Sequence, residues 1–326
     1  MRAVLAPSFV GTNFSEVYLN VASTVPPLHS ATSALVKVAG SSVNPVDWKI
    51  IEQRVYPSLP ASFPSPLGMD MAGTVVAVGD GCKRLRVGDR VWADLANDGL
   101  GAYADFTTVE ESHLGLVPPS LSLLEAASLP LVSMTSRAAL HAAGAPWAAY
   151  QSWDAPIVVI LGGSGGCGAV AVQMAAHGYG AAAVYATTSA ANLAFVQSLG
   201  ASRVFDYHTQ DWAAIVGNNS VDVVYDTVGV PGTADIAMGP LRSGGTFVTI
   251  AGDLSSHPKA GVAQHFISGW LKNATALDEI ARLVTRGALR PTIQRTFQLA
   301  EVSAAFNLSA QGQVVGKLSI NVSSPA

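Results

Sequence analysis

The sequence predicts an α/β protein with two domains, one built on a doubly wound parallel sheet and one mostly of antiparallel β structure. In residues 126–257, short apolar runs alternate with helical segments, which is typical of a parallel sheet covered on both faces. In residues 1–125, short β-prone segments lie between Gly, Pro and Asp turns. We expect residues 258–326 to return to this second domain. With 326 residues, the chain is long enough for both.

The expected elements of each domain follow from these local patterns. The parallel domain has predicted strands at 182–186, 203–205, 221–226 and 246–250 and predicted helices at 190–199 and 232–241. The β domain has predicted segments at 34–39, 74–78, 90–93 and 102–109, and receives a helix at 276–286 and strands at 292–299 and 317–322 from the C-terminal end. An active cleft is expected between the domains, outside the carboxyl ends of the parallel strands.

The stretch IVVILGGSGGCGAVAVQMAAH, residues 157–177, carries the most informative motif. Three of its glycines fit G-x-G-x-x-G between an apolar strand and a helix-forming run. The first permits a tight turn, the second lets backbone N–H groups approach a pyrophosphate, and the third allows close helix–strand packing. The helix dipole faces the phosphates. The pattern predicts a dinucleotide site, with a plain strand–helix turn as the alternative. Its residues are Gly163, Ser164, Gly165, Gly166, Cys167 and Gly168.

The end of the next predicted strand indicates which nicotinamide cofactor is used. Folds that prefer NAD place an acidic residue about 20 positions past the glycine turn, where it binds the ribose 2′-hydroxyl. This chain has no acidic residue between positions 157 and 205. It has Thr187, Thr188 and Ser189, whose hydroxyls can donate to a 2′-phosphate. This favours NADPH over NADH, although the same residues could simply cap the following helix.

Composition argues against several classes of function. Only 12% of residues are charged and the mean hydropathy is +0.35, yet no apolar run reaches the roughly 18–20 residues of a membrane span. The net charge is −4 without a basic cluster, which argues against nucleic acid or an anionic membrane as a partner. We expect no signal peptide, and the two cysteines, Cys82 and Cys167, fit a reducing cytoplasmic compartment.

Several stretches together resemble the medium-chain dehydrogenase/reductase superfamily, in its zinc-free quinone oxidoreductase and enone reductase branch. The resemblance covers essentially the whole chain and implies a GroES-like β domain built from both chain ends, a Rossmann domain between them, and a homodimer. The stretches are SSVNPVDWKI (41–50), PLGMDMAGTVVAVGDGCKRLRVGDRVWA (66–93), GAYADFTTV (101–109), the glycine turn, VDVVYDTVG (221–229) and GKLSINV (316–322).

Departures from the zinc-dependent members of the same superfamily concern the metal ligands. Those enzymes have a ligand cysteine where this chain has Asn44 and a ligand histidine where it has Met69. A thioether is a poor zinc ligand beside thiolate and imidazole. Two cysteines are also too few for the four-cysteine structural zinc site. We therefore expect no zinc.

Without a metal, the natural hydride acceptor is a quinone or a conjugated carbonyl, whose oxygen takes the developing charge and needs only hydrogen-bond donors. The resemblance places Asn44 and Asp47 at the cleft, with Asn44 as a donor or nicotinamide anchor and Asp47 orienting its neighbours. A plain turn is the alternative for Asn44. Lys49 and Tyr56 are candidate acids, with water as the alternative proton source.

Further cofactor contacts are expected from the resemblance and from the carboxyl ends of the predicted strands. Thr135 is expected near the nicotinamide, with the start of a helix as its alternative role, and Tyr207 near the 2′-phosphate. Trp92, Phe266 and Trp270 line an acceptor pocket or belong to the core. The remaining expected cofactor residues are Asn192, where relatives often have Lys or Arg, together with Val228, Ile250, Ala251 and Lys317.

The function expected from these observations is NADPH-dependent reduction of a small quinone, enone or enal. An enoyl reductase of a polyketide or lipid pathway has the same fold and cofactor and differs only in its pocket. A cofactor-binding protein with little turnover is the alternative from another class.

Overall fold

The structure is a computed structural model that describes residues 1–53, 55, 62–95, 101–147, 155–268 and 273–323. The chain divides into two compact units. The first contains Met1–Leu131, Trp270–Thr285 and Pro291–Ala326, and the second contains Val132–Gly269 and Arg286–Arg290. The domain boundaries expected after residues 125 and 257 stay a prediction.

The N-terminal part of the first unit is rich in strands. Its elements are β1 (Ala3–Ala6), β2 (Tyr18–Asn20), β3 (Ser33–Val43), α1 (Pro45–Ile51), β4 (Ser65–Pro66), β5 (Asp70–Val78), β6 (Arg90–Asp94), β7 (Phe106–Glu110), β8 (Gly115–Leu116) and α2 (Leu123–Ala126).

Strands and helices alternate in the middle of the chain. The elements there are α3 (Pro130–Ala142), β9 (Ile157–Leu161), α4 (Gly166–Gln173), β10 (Ala183–Thr188), α5 (Leu193–Ser198), β11 (Arg203–Asp206), α6 (Trp212–Val216), β12 (Val221–Asp226), α7 (Thr233–Met238), β13 (Leu241–Thr249) and β14 (Ala263–Phe266). The C-terminal elements are α8 (Ala274–Thr285), β15 (Ile293–Gln298), α9 (Val302–Ala310) and β16 (Lys317–Asn321). Within the described ranges, no helix is long and apolar enough to cross a membrane.

Two sheets form the first unit. Seven strands belong to the larger sheet, where β15, β16, β3, β5, β6 and β8 are neighbours in that order and β7 pairs with β3. The smaller sheet has the order β2, β1, β4. Because β16 pairs antiparallel with β3, with Leu318 opposite Val43, the C-terminal strands join the N-terminal sheet as the sequence predicts.

The core of the first unit takes side chains from both ends of the chain. Val36, Tyr103, Phe306 and Ile320 are all buried in one hydrophobic cluster. Trp92 is also fully buried, so it belongs to the interior and does not line an open pocket. Trp270 lies outside the described residues.

The second unit has a six-stranded parallel sheet in the order β11, β10, β9, β12, β13, β14. This confirms the predicted doubly wound sheet. The local pattern did not indicate β14, which lies at the edge of the sheet, because three of its four side chains are exposed and it has no apolar run. Phe266, on β14, is 49% exposed.

The first turn of α4 packs so closely against the glycine turn that their backbones are in contact. Gly162, which precedes the motif, has the positive φ of +83° that the tight turn requires. A Cβ on Gly168 would lie 2.1 Å from the carbonyl oxygen of Gly162, so only glycine fits there. A Cβ on Gly165 would meet the same oxygen at 3.6 Å and nothing nearer. Packing therefore requires the third glycine of the motif but not the second.

The substitution Gly168→Ala is expected to lower the free energy of unfolding by about 2–3 kcal/mol, because the new methyl overlaps a backbone oxygen that cannot move alone. The control Gly165→Ala should stay within about 1 kcal/mol of wild type. Urea unfolding followed by circular dichroism measures both. Equal losses in the two variants would contradict the packing described for Gly168.

Candidate active site

Two groups of functional candidates emerge, one in each unit, and the first is the glycine turn of the second unit. All six predicted turn residues lie between the carboxyl end of β9 and the first turn of α4. Gly165 is the N-terminal cap of α4, and its carbonyl accepts from the Ala169 N–H at 2.8 Å. The N-terminal end of a helix carries the positive end of its dipole, and its first N–H groups have no acceptor within the helix itself, which suits an anion.

The end of β10 is tied to this turn. The N–H of Gly163 donates to the carbonyl of Thr187 at 2.8 Å, and the N–H of Gly162 donates to the Thr187 hydroxyl at 3.1 Å. The Thr188 hydroxyl donates to Ser164 Oγ at 2.8 Å. Both threonines are buried, so their hydroxyls hold the turn in shape. The sequence predicts instead that these hydroxyls contact a 2′-phosphate.

Three other predicted residues are accessible beside the same strand end. Ser189 and Asn192 are half-buried, and the Asn192 amide donates to Ser189 Oγ at 3.1 Å. Tyr207 is 57% exposed, and its N–H donates to the Thr188 carbonyl at 3.1 Å. The structure thus brings Ser189, Asn192 and Tyr207 to one edge of the sheet.

The loops after β12 and β13 meet beside the glycine turn. The Asp226 carboxylate accepts from the N–H groups of Val228 and Gly229 at 2.9 and 3.1 Å. The N–H of Ile250 donates to the Asp226 carbonyl at 3.2 Å. Val228 is 54% exposed, and a Cβ on Gly162 would lie 2.6 Å from its side chain.

Two further predicted cofactor residues are Ala251, which follows β13, and Thr135, which lies on α3. Ala251 is exposed, and its N–H donates to the Thr249 hydroxyl at 3.3 Å. Thr135 is half-buried and lies inside α3, so it does not start that helix.

The glycine turn fits the phosphates of a dinucleotide. The space above Gly165 is open, and no protein atom explains why a side chain is missing there. The N-terminal end of the α4 helix dipole and the absence of acidic residues from 157 to 205 favour an anion at the same place.

The second group of candidates is a buried polar cluster in the first unit. We use this term for Asn44, Asp47, Asp70, Tyr103 and Lys317. Each of the five is at most 4% exposed. Asn44 and Asp47 lie where β3 passes into α1, whereas Asp70 and Lys317 begin β5 and β16.

Lys317 is the cation of this cluster. Its ammonium group donates to the Val43 carbonyl at 2.8 Å and to Asn44 Oδ1 at 2.5 Å, and it lies 3.3 Å from Asp70 Oδ2. An ammonium group has three hydrogens, and these three acceptors use all of them. The structure therefore places Lys317 in the buried polar cluster of the first unit, and its expected contact with the cofactor stays a prediction.

Asp70 is the anion that faces Lys317. Its Oδ2 accepts from Ser42 Oγ at 2.6 Å and from the Asn44 amide at 2.7 Å, while Oδ1 accepts from the N–H of Leu131 at 2.7 Å. Asn44 is thereby held at both ends of its amide and is fully buried. A direct donor role of Asn44 toward a bound molecule stays a prediction, and this structure shows its amide engaged inside the protein.

Asp47 is held from one side only. Its Oδ2 accepts from the N–H of Asn44 at 2.7 Å and from the Tyr103 hydroxyl at 3.1 Å. Its Oδ1 has no hydrogen-bond partner among the described residues. Burial raises the pKa of Asp47 to about 7, and the nearby charge of Asp70 adds to this effect. Burial and Asp47 together raise the pKa of Tyr103 well above its usual value.

The two candidate acids are not part of the buried polar cluster. Lys49 is half-buried on α1, with its ammonium group 5.6 Å from the centre of the Trp48 ring. Tyr56 lies outside the described residues. In the part of the chain that the structure describes, no group of three His, Cys, Asp or Glu side chains could hold a metal ion.

Sequence reasoning missed Asp70 and Tyr103. A signal for each was present, because Asp70 stands in Gly68-Met69-Asp70 beside a former ligand position, and Tyr103 stands in the Gly-Ala-Tyr stretch.

The substitution Asp47→Asn is expected to change how stability depends on pH. Because folding raises the pKa of Asp47 from its usual 3.8 to about 7, the folded state binds one proton more than the unfolded state between pH ~4 and ~7. The stability of the folded state therefore falls as pH rises across this range. An asparagine does not titrate, so the variant should gain up to about 4 kcal/mol on wild type between low pH and pH ~8. Urea unfolding across this range measures the difference.

The control is Glu125→Gln. Hydrogen bonds from Ser122 lower the pKa of Glu125, so this variant should lose stability relative to wild type as pH rises. A pH-independent difference between Asp47→Asn and wild type would contradict the burial of an unpaired carboxyl oxygen.

Family models and solved structures both indicate an oxidoreductase with a GroES-like domain. Residues 30–119 match the family model of the alcohol dehydrogenase GroES-like domain, and residues 199–319 match the model described as zinc-binding dehydrogenase. The chain is similar in structure to the quinone oxidoreductase from Coxiella burnetii, with a TM-score of 0.85 and 27% identity over 99% of each chain.

Two plant proteins are similar in sequence. The 2-methylene-furan-3-one reductase of Solanum lycopersicum is 32% identical over 88% of this chain and 71% of its own length. The chloroplastic NADPH-dependent alkenal/one oxidoreductase of Arabidopsis thaliana is 29% identical over 98% of this chain and 78% of its own length. The chain therefore belongs to the medium-chain dehydrogenase/reductase superfamily, in the branch of the quinone and alkenal oxidoreductases.

Proposed function

We propose that this protein is an NADPH-dependent, zinc-free oxidoreductase that transfers hydride to a quinone or to the C=C bond of an α,β-unsaturated carbonyl. The observation that carries the proposal is the cation of the buried polar cluster. At the position of the former cysteine ligand, Asn44 accepts from the ammonium group of Lys317 at 2.5 Å. The chain therefore supplies its own buried positive charge beside that position.

The cofactor proposal is supported by the glycine turn and by the names of the relatives. A Cβ on Gly165 would make only ordinary contact with the Gly162 oxygen, the N-terminal end of α4 follows, and Ser189, Asn192 and Tyr207 are accessible at the adjoining strand end. The similar Arabidopsis protein is named as NADPH-dependent. When bound, NADPH supplies the hydride, and the protein has to position and surround the reactants.

Electrostatics support the absence of zinc. The Lys317 ammonium group already lies beside the Asp70 carboxylate, so a divalent cation placed there would meet a positive charge. Met69 replaces the histidine ligand, and a thioether does not compensate. Our zinc-free proposal therefore concerns this chain's residues, although one matching family model is described as zinc-binding.

In this proposal Asn44 is a positioning residue. Asp70 and Lys317 hold its amide at both ends, which fixes the corner where β3 enters α1. Asp47 supports the same corner through its bond to the Asn44 N–H. Water protonates the reduced product, with Lys49 as the alternative acid.

The first experiment measures NADPH oxidation with a panel of acceptors. We expect turnover with a small quinone, an alkenal and an alkenone, and none with a saturated ketone or, in reverse, with a simple alcohol. Alcohol oxidation needs a Lewis acid or a placed base to remove the hydroxyl proton. Activity should persist in chelator, and elemental analysis should find no stoichiometric metal.

Each of the other outcomes of this panel would indicate a different function for this protein. About one zinc per chain, with activity lost on its removal, would contradict the proposal. Turnover confined to an enoyl thioester would favour the enoyl reductase of a lipid or polyketide pathway. NADPH binding without turnover of any acceptor would favour a cofactor-binding protein.

The substitution Asn44→Ala tests the positioning role. We expect turnover of an enone to fall by one to two orders of magnitude, because a small shift of a reacting group has an effect of this size, while the Kd for NADPH changes little. The matched control is Ser42→Ala, which removes another hydrogen bond to Asp70 Oδ2 but leaves Asn44 held. Steady-state kinetics and fluorescence titration measure both quantities. Equal turnover in the two variants would contradict a specific role for Asn44.

The homodimer and the compartment remain parts of the proposal. β14 is an edge strand with exposed side chains, and such an edge can pair with another chain. The cytoplasmic location rests on the cysteine content alone. Two similar proteins have names that place them in the chloroplast and the mitochondrion.

A further inference from the structure

We propose that His208 contacts the 2′-phosphate of NADPH and contributes to the discrimination against NADH. This inference rests on the proposed NADPH-dependent function and adds a specificity residue to the same site. The 2′ position of the ribose is recognised at the end of the second strand of a dinucleotide fold, which is β10 here. The sequence offers no Lys or Arg at that strand end.

Strand pairing brings His208 to this place. In the parallel register, Thr188 at the end of β10 lies opposite Asp206 at the end of β11. The N–H of Tyr207 donates to the Thr188 carbonyl at 3.1 Å, which joins the two chain segments just beyond the strands. Continuing this register places Tyr207 level with Ser189, and His208 follows one residue further on.

The side chain of His208 is free to bind a ligand. It is exposed, and its ring packs on that of Tyr207 with 4.2 Å between the centroids and 41° between the planes. Among the described residues, no hydrogen bond or ion pair engages its ring nitrogens. Tyr207 and His208 together present a phenol and an imidazole, both of which can donate to a phosphate oxygen.

Two arginines of the second unit, Arg203 and Arg290, are engaged elsewhere. Arg203 begins β11, at the opposite end of that strand, and its guanidinium lies 5.4 and 5.1 Å from the ring centres of Tyr185 and Phe205. Arg290 donates to the carbonyl of Ser198 at 3.4 Å. His208 is therefore the candidate side-chain donor for a phosphate at this edge.

The neighbouring acids are engaged with the backbone and with a hydroxyl. Asp206 is buried, and its carboxylate accepts from the N–H of His208 at 3.1 Å and from the Thr209 hydroxyl at 3.0 Å. Asp211 caps α6 by accepting from the N–H groups of Ala213 and Ala214. The imidazole is thus left for an external anion.

The test compares binding of NADPH, NADH, 2′,5′-ADP and 5′-AMP to the full-length protein by fluorescence or calorimetric titration. His208→Gln should weaken NADPH and 2′,5′-ADP about tenfold and leave NADH and 5′-AMP within about twofold. His208→Arg should retain or strengthen NADPH binding, and His208→Glu should favour NADH. The control His265→Gln removes an exposed histidine from β14, at the other edge of the sheet, and should change nothing.

The outcomes separate this inference from the proposed function. If wild type binds NADPH tightly but His208→Gln binds it equally well, the inference is wrong and the proposed function stands. If His208→Gln weakens NADPH and NADH to the same extent, His208 does not read the 2′-phosphate and the inference is also wrong. If wild type binds neither NADPH nor 2′,5′-ADP, the proposed function and the inference both fail.

Discussion

The ion pair between Asp70 and Lys317 is the interaction on which the candidate site of the first unit depends. Both side chains are almost completely buried, and the pair joins the start of β5 to the start of β16. A buried charge is tolerated only when it is paired and hydrogen-bonded, and loss of one partner typically costs about 3–5 kcal/mol. The hydrogen bonds that satisfy this pair come from Ser42, Asn44 and Leu131. The need to neutralise a buried carboxylate therefore fixes the corner where β3 enters α1.

The buried ammonium group of Lys317 also has consequences for the reaction that this site can support. An internal ammonium group supplies positive charge without an open coordination position, so it cannot act as a Lewis acid on a simple alcohol or ketone. An activated alkene or quinone makes a smaller demand, because its oxygen needs only hydrogen-bond donors as charge develops. In the second unit, hydrogen bonds of the buried Thr187 and Thr188 hydroxyls hold the glycine turn in shape. The positive end of the α4 dipole lies at this turn, where it can stabilise the negative charge of a phosphate.

Local sequence pattern was enough for the doubly wound sheet, the glycine turn and the return of the C-terminal strands, because each produces a periodic apolar pattern or a fixed motif. It did not indicate β14, whose exposed side chains form no such pattern. It also could not indicate that Lys317 meets Asn44, since 273 positions separate them and only strand pairing brings them together. The observed hydrogen bonds of Thr187 and Thr188 go to the glycine turn and were not expected from the sequence. A hydroxyl at a strand end can point into the protein or toward a ligand, and the sequence alone does not indicate which.

The fate of the transferred hydride distinguishes reduction of a C=C bond from reduction of a carbonyl group. NADPH with deuterium at the transferring position of C4 is incubated with the enzyme and an alkenone, and the reduced product is analysed by NMR and mass spectrometry. We predict deuterium at the β-carbon of a saturated ketone, because hydride adds to the activated C=C bond and the oxygen only receives charge. Deuterium at the carbonyl carbon of an allylic alcohol would contradict it.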